Sequence, residues 1–435
     1  MLALLAFLTM FVIIFLLLTN RSSPVVVLIL VPLISAILLG ISPGEIGGFF
    51  KDGMGRVTQV AAMFIFAITF FGILQDTGLF RPLINGLVRL TRGNVTAVLI
   101  GTALAGVLAH LDGAGATTFL LTIPTLLPLY KRLNISRYLM LLLLATGAGI
   151  TNMLPWAGPL GRAAAVTGLD VTELWHPLIP IQAIGIVMLV IMAFWFSLRE
   201  KRKIANGQAV ILIAENEDIN ASDLSDYERS LLRPHLIWVN TALFVAVLVL
   251  LVSGIMAAPF IFMIGLSLLL VINYPRAADQ MELIRKHAPS ALLMGIIIFA
   301  AGSFLGIMDG TGMLKALAET FVRILPETMI PMLHIMLGIF GVPMELILST
   351  DAYYFGLLPI VIEIVTPVGV SAPEVVHALV IGNIVGTFIS PFSPALWLAL
   401  GLANADMGKH IRYSVFVLWG FSLILMGFAW LLGLF

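Results

Sequence analysis

The chain has 435 residues, of which 60% are hydrophobic and only 11% charged, with 23 basic and 23 acidic residues and a mean hydropathy of +1.10. A soluble domain carries roughly 25% charged residues, so this composition points to an integral membrane protein. Zero net charge leaves no electrostatic footprint for nucleic acid, and the absence of cysteine excludes disulfides, thiolate metal sites and cysteine nucleophiles.

The first apolar run, Met1–Thr19, has no basic residue ahead of it and its first arginine, Arg21, follows it, so it reads as a retained span rather than a cleaved signal. Val25–Leu39 and Gln59–Leu74 follow as further spans. Directly after them the chain begins to repeat itself. GILQDTGLFRPLINGLVRL at 72–90 returns as GIMDGTGMLKALAETFVRI at 306–324, a constant offset of 234 that pairs Gly72 with Gly306, Thr77 with Thr311 and Arg89 with Arg323. A second echo pairs Thr151 with Thr387 and Pro155 with Pro391. Duplicated halves in a membrane protein are the mark of a secondary transporter that binds its substrate where the repeats meet. The stretches 79–92 and 313–325, apolar residues punctuated by Arg and Lys, read as interfacial helices.

Next come Thr96–Leu111 and Thr117–Tyr130, which bracket a Gly-rich tip. The second arm ends on Lys131, Arg132 and Arg137, and both arms read as a cytoplasm-facing re-entrant hairpin. The one long polar segment, Arg199–Arg233, opens with Arg199-Glu-Lys-Arg-Lys203 and turns acidic at Glu215, Glu217 and Asp218; the positive-inside rule makes it cytoplasmic. It divides the chain into a first repeat (1–198), a linker (199–233) and a second repeat (234–435). Pro234–Val252 then exits, Pro259–Tyr274 returns and Ser290–Met308 exits. This places Lys51, Arg56, Lys315 and Arg323 outside, Arg162 within the membrane and the other 18 of the 23 basic residues inside. Both termini fall outside. Matching segments run in opposite directions, so the fold class expected is all-α membrane protein with two inverted repeats, each holding a re-entrant hairpin and a broken helix.

Four breaks in the apolar pattern carry the polar chemistry. They are His110-Leu-Asp112-Gly113-Ala-Gly115-Ala-Thr117-Thr118; Thr146–Pro159, which contains Thr151 and Asn152 and is followed by Arg162; Pro343–Asp351, which contains Glu345, Ser349 and Thr350; and Asn383–Pro394, which contains Thr387, Ser390 and Ser393. Broken backbone at membrane depth is tolerated only against protein or a water-filled cavity, and helix N-termini exposed there suit a carboxylate. Substrate contact is therefore expected from Gly113, Gly115, Thr117, Thr118, Thr151, Asn152, Arg162, Ser349, Thr350, Thr387, Ser390 and Ser393. The bland alternatives are that the hydroxyls bond backbone carbonyls and that Arg162, despite its fork geometry for carboxylates, snorkels to the interface or pairs with an acid. Asp112 and Asp351 are costly in hydrocarbon and are candidates for binding a coupling ion or a substrate-borne metal; the alternative is that each caps a hairpin arm. His110 reads equally as a proton relay or as a residue bonded within its tip. Glu345 is a weaker candidate, and Asp76 and Asp309 read as ordinary end charges. No H-E-x-x-H or Ser/Lys pattern supports an enzyme, and duplicated breaks favour a moving site over a fixed pore.

The stretches LDGAGATTFLLTIPTLLPLYKRL (111–133), TNMLPWAGPLGRAAAV (151–166) and LSTDAYYFGLLPIV (348–361), with Leu402–Arg412 and the opening MLALLAFLTMFVIIFLLLTNR, resemble the citrate–divalent-metal:proton symporters, the CitMHS family of the ion transporter superfamily. The resemblance spans essentially the whole chain. It implies a multi-pass cell-membrane protein that takes up citrate complexed with Mg²⁺ or Ca²⁺ in symport with protons and holds no permanent cofactor. It also implies a homodimer in which a transport domain carrying both hairpins moves against a scaffold, in elevator fashion. Two departures stand out. Ala114 replaces the second acid of the family's Leu-Asp-Gly-Asp-Gly tip, and Gly386-Thr-Phe-Ile-Ser390-Pro391 stands where the family tends to carry Gln and His. A hard cation wants several oxygen ligands, so the second reading is a metal-independent carrier of a dicarboxylate or sugar acid coupled to H⁺ or Na⁺.

Overall fold

Sequence-related segments face one another at the centre of the molecule. The structure, a computed structural model, describes residues 2–19, 21–80, 82, 86, 94–205 and 226–435. Most of the interfacial segment expected at 79–92, with Arg81, Arg89 and Arg92, and the acidic run Glu215, Glu217 and Asp218 lie outside the described residues. The first half consists of α1 (Leu2–Leu18), α2 (Pro24–Leu38), α3 (Pro43–Asp76), α4 (Val95–Ala109), α5 (Gly115–Arg132), α6 (Arg137–Thr151), α7 (Gly158–Thr167), α8 (Val171–Trp175) and α9 (Leu178–Ala205). After α10 (Asp226–Leu231) the second half follows as α11 (Ile237–Ser253), α12 (Ala258–Asn273), α13 (Ala277–Gly310), α14 (Met313–Ile324), α15 (Leu333–Ile339), α16 (Gly341–Glu345), α17 (Leu358–Val365), α18 (Ala372–Asn383), α19 (Pro394–Ala403) and α20 (Met407–Leu431). Six helical stretches among the described residues are long and apolar enough to cross a membrane, namely Pro43–Asp76, Val95–Asp112, Leu178–Ile204, Tyr227–Ser253, Ala277–Gly310 and Met407–Leu431.

The helix ends follow from local chemistry. Ser42 and Glu45 form a capping box at the start of α3, and Ser371 and Glu374 form one at the start of α18. Ser136, an offset of 235 from Ser371, caps α6 through the Tyr138 N–H. The helices that bear the two breaks therefore start on the same signal in both halves. The segment read as interfacial at 313–325 forms α14, an amphipathic helix: Leu314, Leu317 and Ala318 are buried while Lys315, Glu319 and Arg323 are exposed.

α3 and α13, each 34 residues long, pack along much of their length. They run antiparallel, because Gly53 meets Gly302 and Gly306 while Gly72 meets His287. The crossing is too close for side chains. A Cβ on Gly53 would lie 2.0 Å from the Gly302 carbonyl oxygen, and one on Gly306 would lie 2.1 Å from the Phe49 carbonyl oxygen. Small residues spaced by four, here Gly302, Gly306 and Gly310, let helix backbones approach where the hydrophobic effect gives no help. The exchange is reciprocal: α12 packs on α3 and α2 packs on α13. Asp76 and Asp309 are more than end charges, since Asp76 pairs with Lys286 and His287 at 2.8 Å and Asp309 with Arg56 at 2.7 Å, one pair near each end of the crossing.

The two remaining pairings repeat in each half. α4 packs against α6 with Gly106 and Gly147 at the contact, and α15 packs against α18 with Gly338 and Gly382. A Cβ on Gly382 would fall 2.2 Å from the Gly338 carbonyl oxygen. Hairpin arms and broken helices are thus locked together backbone to backbone.

Candidate functional site

The first hairpin is α4, a short 3₁₀ turn over His110–Asp112, and α5. Its tip turns because Gly113 adopts φ +72°, a left-handed conformation that glycine reaches without strain. Asp112 holds the turn: its Oδ1 accepts from the Ala114 N–H at 2.9 Å and its Oδ2 accepts from the Thr117 hydroxyl. His110 is fully buried, with Nδ1 2.7 Å from Thr118 Oγ1 and Nε2 2.9 Å from Asn152 Oδ1. It therefore ties both hairpin arms to the break after α6. The Trp156 indole N–H donates to the Leu111 carbonyl at 2.8 Å. Gly115 has its Cα pressed on the second half, where a Cβ would come 2.6 Å from the Phe388 ring.

The second hairpin rises through α15 and α16, breaks at 346–350 and returns through α17. Its return arm starts as a π-helical stretch, Ala352–Leu357, a feature the sequence does not announce and one often found at functional sites. Ser349 Oγ accepts from the Ala352 N–H at 3.2 Å. Asp351 makes no cap; its Oδ1 accepts from Arg162 Nε at 2.7 Å, with both side chains largely withdrawn from solvent. Of the alternatives open for Arg162, the structure realises pairing with an acid, and the pair joins α7 of the first half to the hairpin tip of the second. Glu345 is fully buried; its Oε1 accepts from Asn383 Nδ2 at 2.8 Å, and Asn383 Oδ1 accepts from the Tyr354 hydroxyl at 2.9 Å.

The two halves interlock at these points. Phe388, from the last break, stands edge-on to His110 and Phe119 at 5.3 Å between ring centres. A Cβ on Gly149 would lie 2.8 Å from the Val385 Cα, so the broken helices also touch. Several expected contacts turn inward to backbone. Thr151 Oγ1 donates to the Gly147 carbonyl at 2.9 Å and Thr387 Oγ1 to the Ile384 carbonyl at 2.9 Å. Ser390 Oγ accepts weakly from the Phe392 N–H at 3.4 Å. Ser393 occupies the N-cap position of α19 without a side-chain cap bond, and Thr350 lies half-buried beside Asp351 in the chain. Sequence reasoning missed Phe388, Trp156, Tyr354 and Asn383 as tip partners. Aromatic and amide residues inside quoted breaks were the available signal for all but Tyr354. Among the described residues no three His, Asp or Glu side chains converge as a metal-binding group. A separate pocket of about 280 Å³, lined by Arg56, Gln59, Gly168 and Asp170 among others, shares no residue with this cluster.

Broken helices and a largely buried ionic contact between the first and second parts of the chain are compatible with a multi-pass transporter of secondary type. The comparisons agree on the class and specify it. A profile for the citrate transporter family, CitMHS, matches residues 2–382. The chain is 34% identical over 434 residues to a citrate transporter of Bacillus subtilis (strain 168), covering 100% of this chain and 99% of that one. It is 33% identical to the Mg(2+)/citrate complex secondary transporter of the same organism, covering 95% and 94%. It is also 34% identical to that organism's uncharacterized transporter YraO, covering 95% of each. The chain belongs to the CitMHS citrate transporter family, whose members are transporters and not enzymes. Among solved structures the Alcanivorax borkumensis YdaH transporter superposes with a TM-score of 0.55 over 90% of this chain and 91% of that one, at 16% identity, a likeness of fold alone.

Proposed function

We propose that the protein takes up citrate as a complex with Mg²⁺ or Ca²⁺, in symport with protons, by alternating access between its two halves. The observation that carries the reading is Arg162, a guanidinium held at the junction of the halves by the Asp351 carboxylate, in a chain that is similar over 95% of its length to a Mg(2+)/citrate complex secondary transporter. A substrate carboxylate is the chemical equal of Asp351 and competes with it for the guanidinium fork. In this proposal the substrate takes Arg162 over from Asp351 as it binds. Gly113, Gly115, Thr117, Thr118, Thr151, Asn152, Ser349, Thr350, Thr387, Ser390 and Ser393 surround the remaining oxygens. The metal travels as part of the substrate, touching Asp112 or Asp351 at the tips, with citrate supplying most of its ligands.

The halves 1–198 and 234–435 are inverted relative to each other across the membrane, with the 199–233 loop in the cytoplasm and both termini outside. Antiparallel α3 and α13 support this arrangement, and their glycine crossing supports a static scaffold beneath a moving pair of hairpins. The working unit is a homodimer. Ala114 in the first tip supports a second reading, a metal-independent dicarboxylate or sugar-acid carrier coupled to H⁺ or Na⁺.

Labelled-citrate uptake into proteoliposomes, with and without Mg²⁺ or Ca²⁺ and with imposed proton or sodium gradients, separates these readings. Stimulation by the metal together with an inward proton gradient is expected. Indifference to citrate in every condition removes the proposal.

A further inference from the structure

Three carboxylates sit at the hairpin tips, and they are not equivalent. Asp112 spends both oxygens on its own turn, accepting from the Ala114 N–H and the Thr117 hydroxyl. Asp351 is paired with Arg162. Glu345 is fully buried and its Oε1 accepts from Asn383, while no contact to its Oε2 meets hydrogen-bond geometry among the described residues. A buried carboxylate oxygen left bare is costly in the ionised form and inexpensive once protonated. From the arrangement around this oxygen we infer that Glu345 is the group that carries the coupled proton, bound at Oε2. The inference rests on the proton-symport reading above and assigns its chemistry to a residue.

The surroundings suit a proton better than a metal cation. A sodium or divalent ion needs several oxygen ligands, whereas Asn383 turns its amide N–H toward Glu345 because its own oxygen accepts from Tyr354. The Ser390 hydroxyl lies within interacting distance of the Glu345 side chain, although no contact to Oε2 meets full hydrogen-bond geometry among the described residues. The charged and titratable groups facing Glu345 are Arg162 from α7 and Tyr353 and Tyr354 from the π-helical return arm; α18 contributes Asn383 and the last break Ser390. Among the described residues Arg162 is the positive charge acting on Glu345, and it is engaged by Asp351. When a substrate carboxylate takes Arg162 over from Asp351, the site gains negative charge that Arg162 no longer offsets, which favours protonation of Glu345. The broken helix runs directly over the side chain, with a Cβ on Gly386 falling 3.4 Å from the Glu345 Cβ and Cγ, so a shift of that helix alters access to the acid.

The test is Glu345→Gln in proteoliposomes, compared with wild type in two assays. Each proton carried is worth about tenfold accumulation per pH unit of gradient. The wild type should concentrate Mg²⁺–citrate when a gradient is imposed and exchange it in counterflow. Glu345→Gln, neutral and of the same shape, should keep counterflow and lose the gradient-driven accumulation; Glu345→Asp should restore part of it. Accumulation that persists in Glu345→Gln overturns the assignment while leaving proton symport standing. Failure of the wild type to respond to the proton gradient overturns both. If Glu345→Gln does not fold, Tyr354→Phe reports instead, because it keeps the acid and removes a partner of Asn383. A displaced pH midpoint of uptake with counterflow intact supports the inference, and an unchanged midpoint overturns it.

Discussion

The two hairpin tips place an ionisable residue at matching positions, His110 in the first half and Glu345 in the second, 235 residues apart, and each is bonded to an asparagine of the broken helix in its own half. The tips differ in what is left over. Imidazole has two nitrogens, and both are engaged, by Thr118 and Asn152. A carboxylate has two oxygens with room for several donors, and at Glu345 one of them is bare. The nearby charge is also unequal, because Arg162, although part of the first half, leans on the second tip. The comparison teaches that matching positions are satisfied differently: the polar atoms of the first tip are engaged within the tip and its broken helix, whereas the second carries a charge pair to Arg162 and a carboxylate oxygen without a partner among the described residues.

The strongest way to break the comparison is to remove its charge. Arg162→Ala leaves the partly withdrawn Asp351 without its partner, a loss of up to about 3 kcal/mol, the lower end for fully buried pairs. Citrate uptake should vanish and the melting temperature in detergent should fall, whereas Arg162→Lys, which keeps the charge but not the fork, should retain only part of the uptake. An Arg162→Ala variant that transports normally would remove the second tip from the mechanism. A smaller effect is expected at the first tip. His110→Leu strands the Asn152 side-chain oxygen, while the Thr118 hydroxyl keeps its bond to the Ala114 carbonyl. The cost is about 1–3 kcal/mol, and the variant should lower thermal stability and uptake while the dependence of the remaining uptake on the proton gradient stays as in wild type. Loss of gradient dependence there would mean that the first tip does the coupling. The smallest effect is expected from Asp112→Asn. Its amide oxygen still accepts from the Ala114 N–H, so the loss should stay near 1 kcal/mol, the scale of a helix cap, with gradient-driven uptake retained. Abolished gradient-driven uptake in a well-folded Asp112→Asn would restore that acid as a coupling group.

A large part of this was legible in the chain. The turn between α4 and α5, the breaks at Thr151–Pro155 and Thr387–Pro391 and an amphipathic helix over 313–324 follow from hydropathy, Gly and Pro placement and basic residues. The glycine crossing had a readable trace too, Gly302-x-x-x-Gly306-x-x-x-Gly310, but not its partner, since nothing local links it to Gly53. The roles of the acids were less legible. Asp112 and Asp351 look alike in sequence, each at a hairpin tip beside hydroxyl residues. Glu345 looked secondary because it sits nearer the end of a hairpin arm than the tip acids do.

What the sequence determined by itself was therefore everything that depends on single residues or on neighbours along the chain: membrane residence, the sites where helices must break and the duplication of the halves. Those outcomes are set by transfer energies and backbone preferences that act locally. Only the tertiary structure decided which charges are satisfied. Arg162 and Asp351 stand 189 residues apart and meet at 2.7 Å, and Glu345 and Asn383, 38 apart, meet at 2.8 Å. The energy of a buried charge depends on the partners within a few ångströms, and those distances are fixed by the packing of one half against the other.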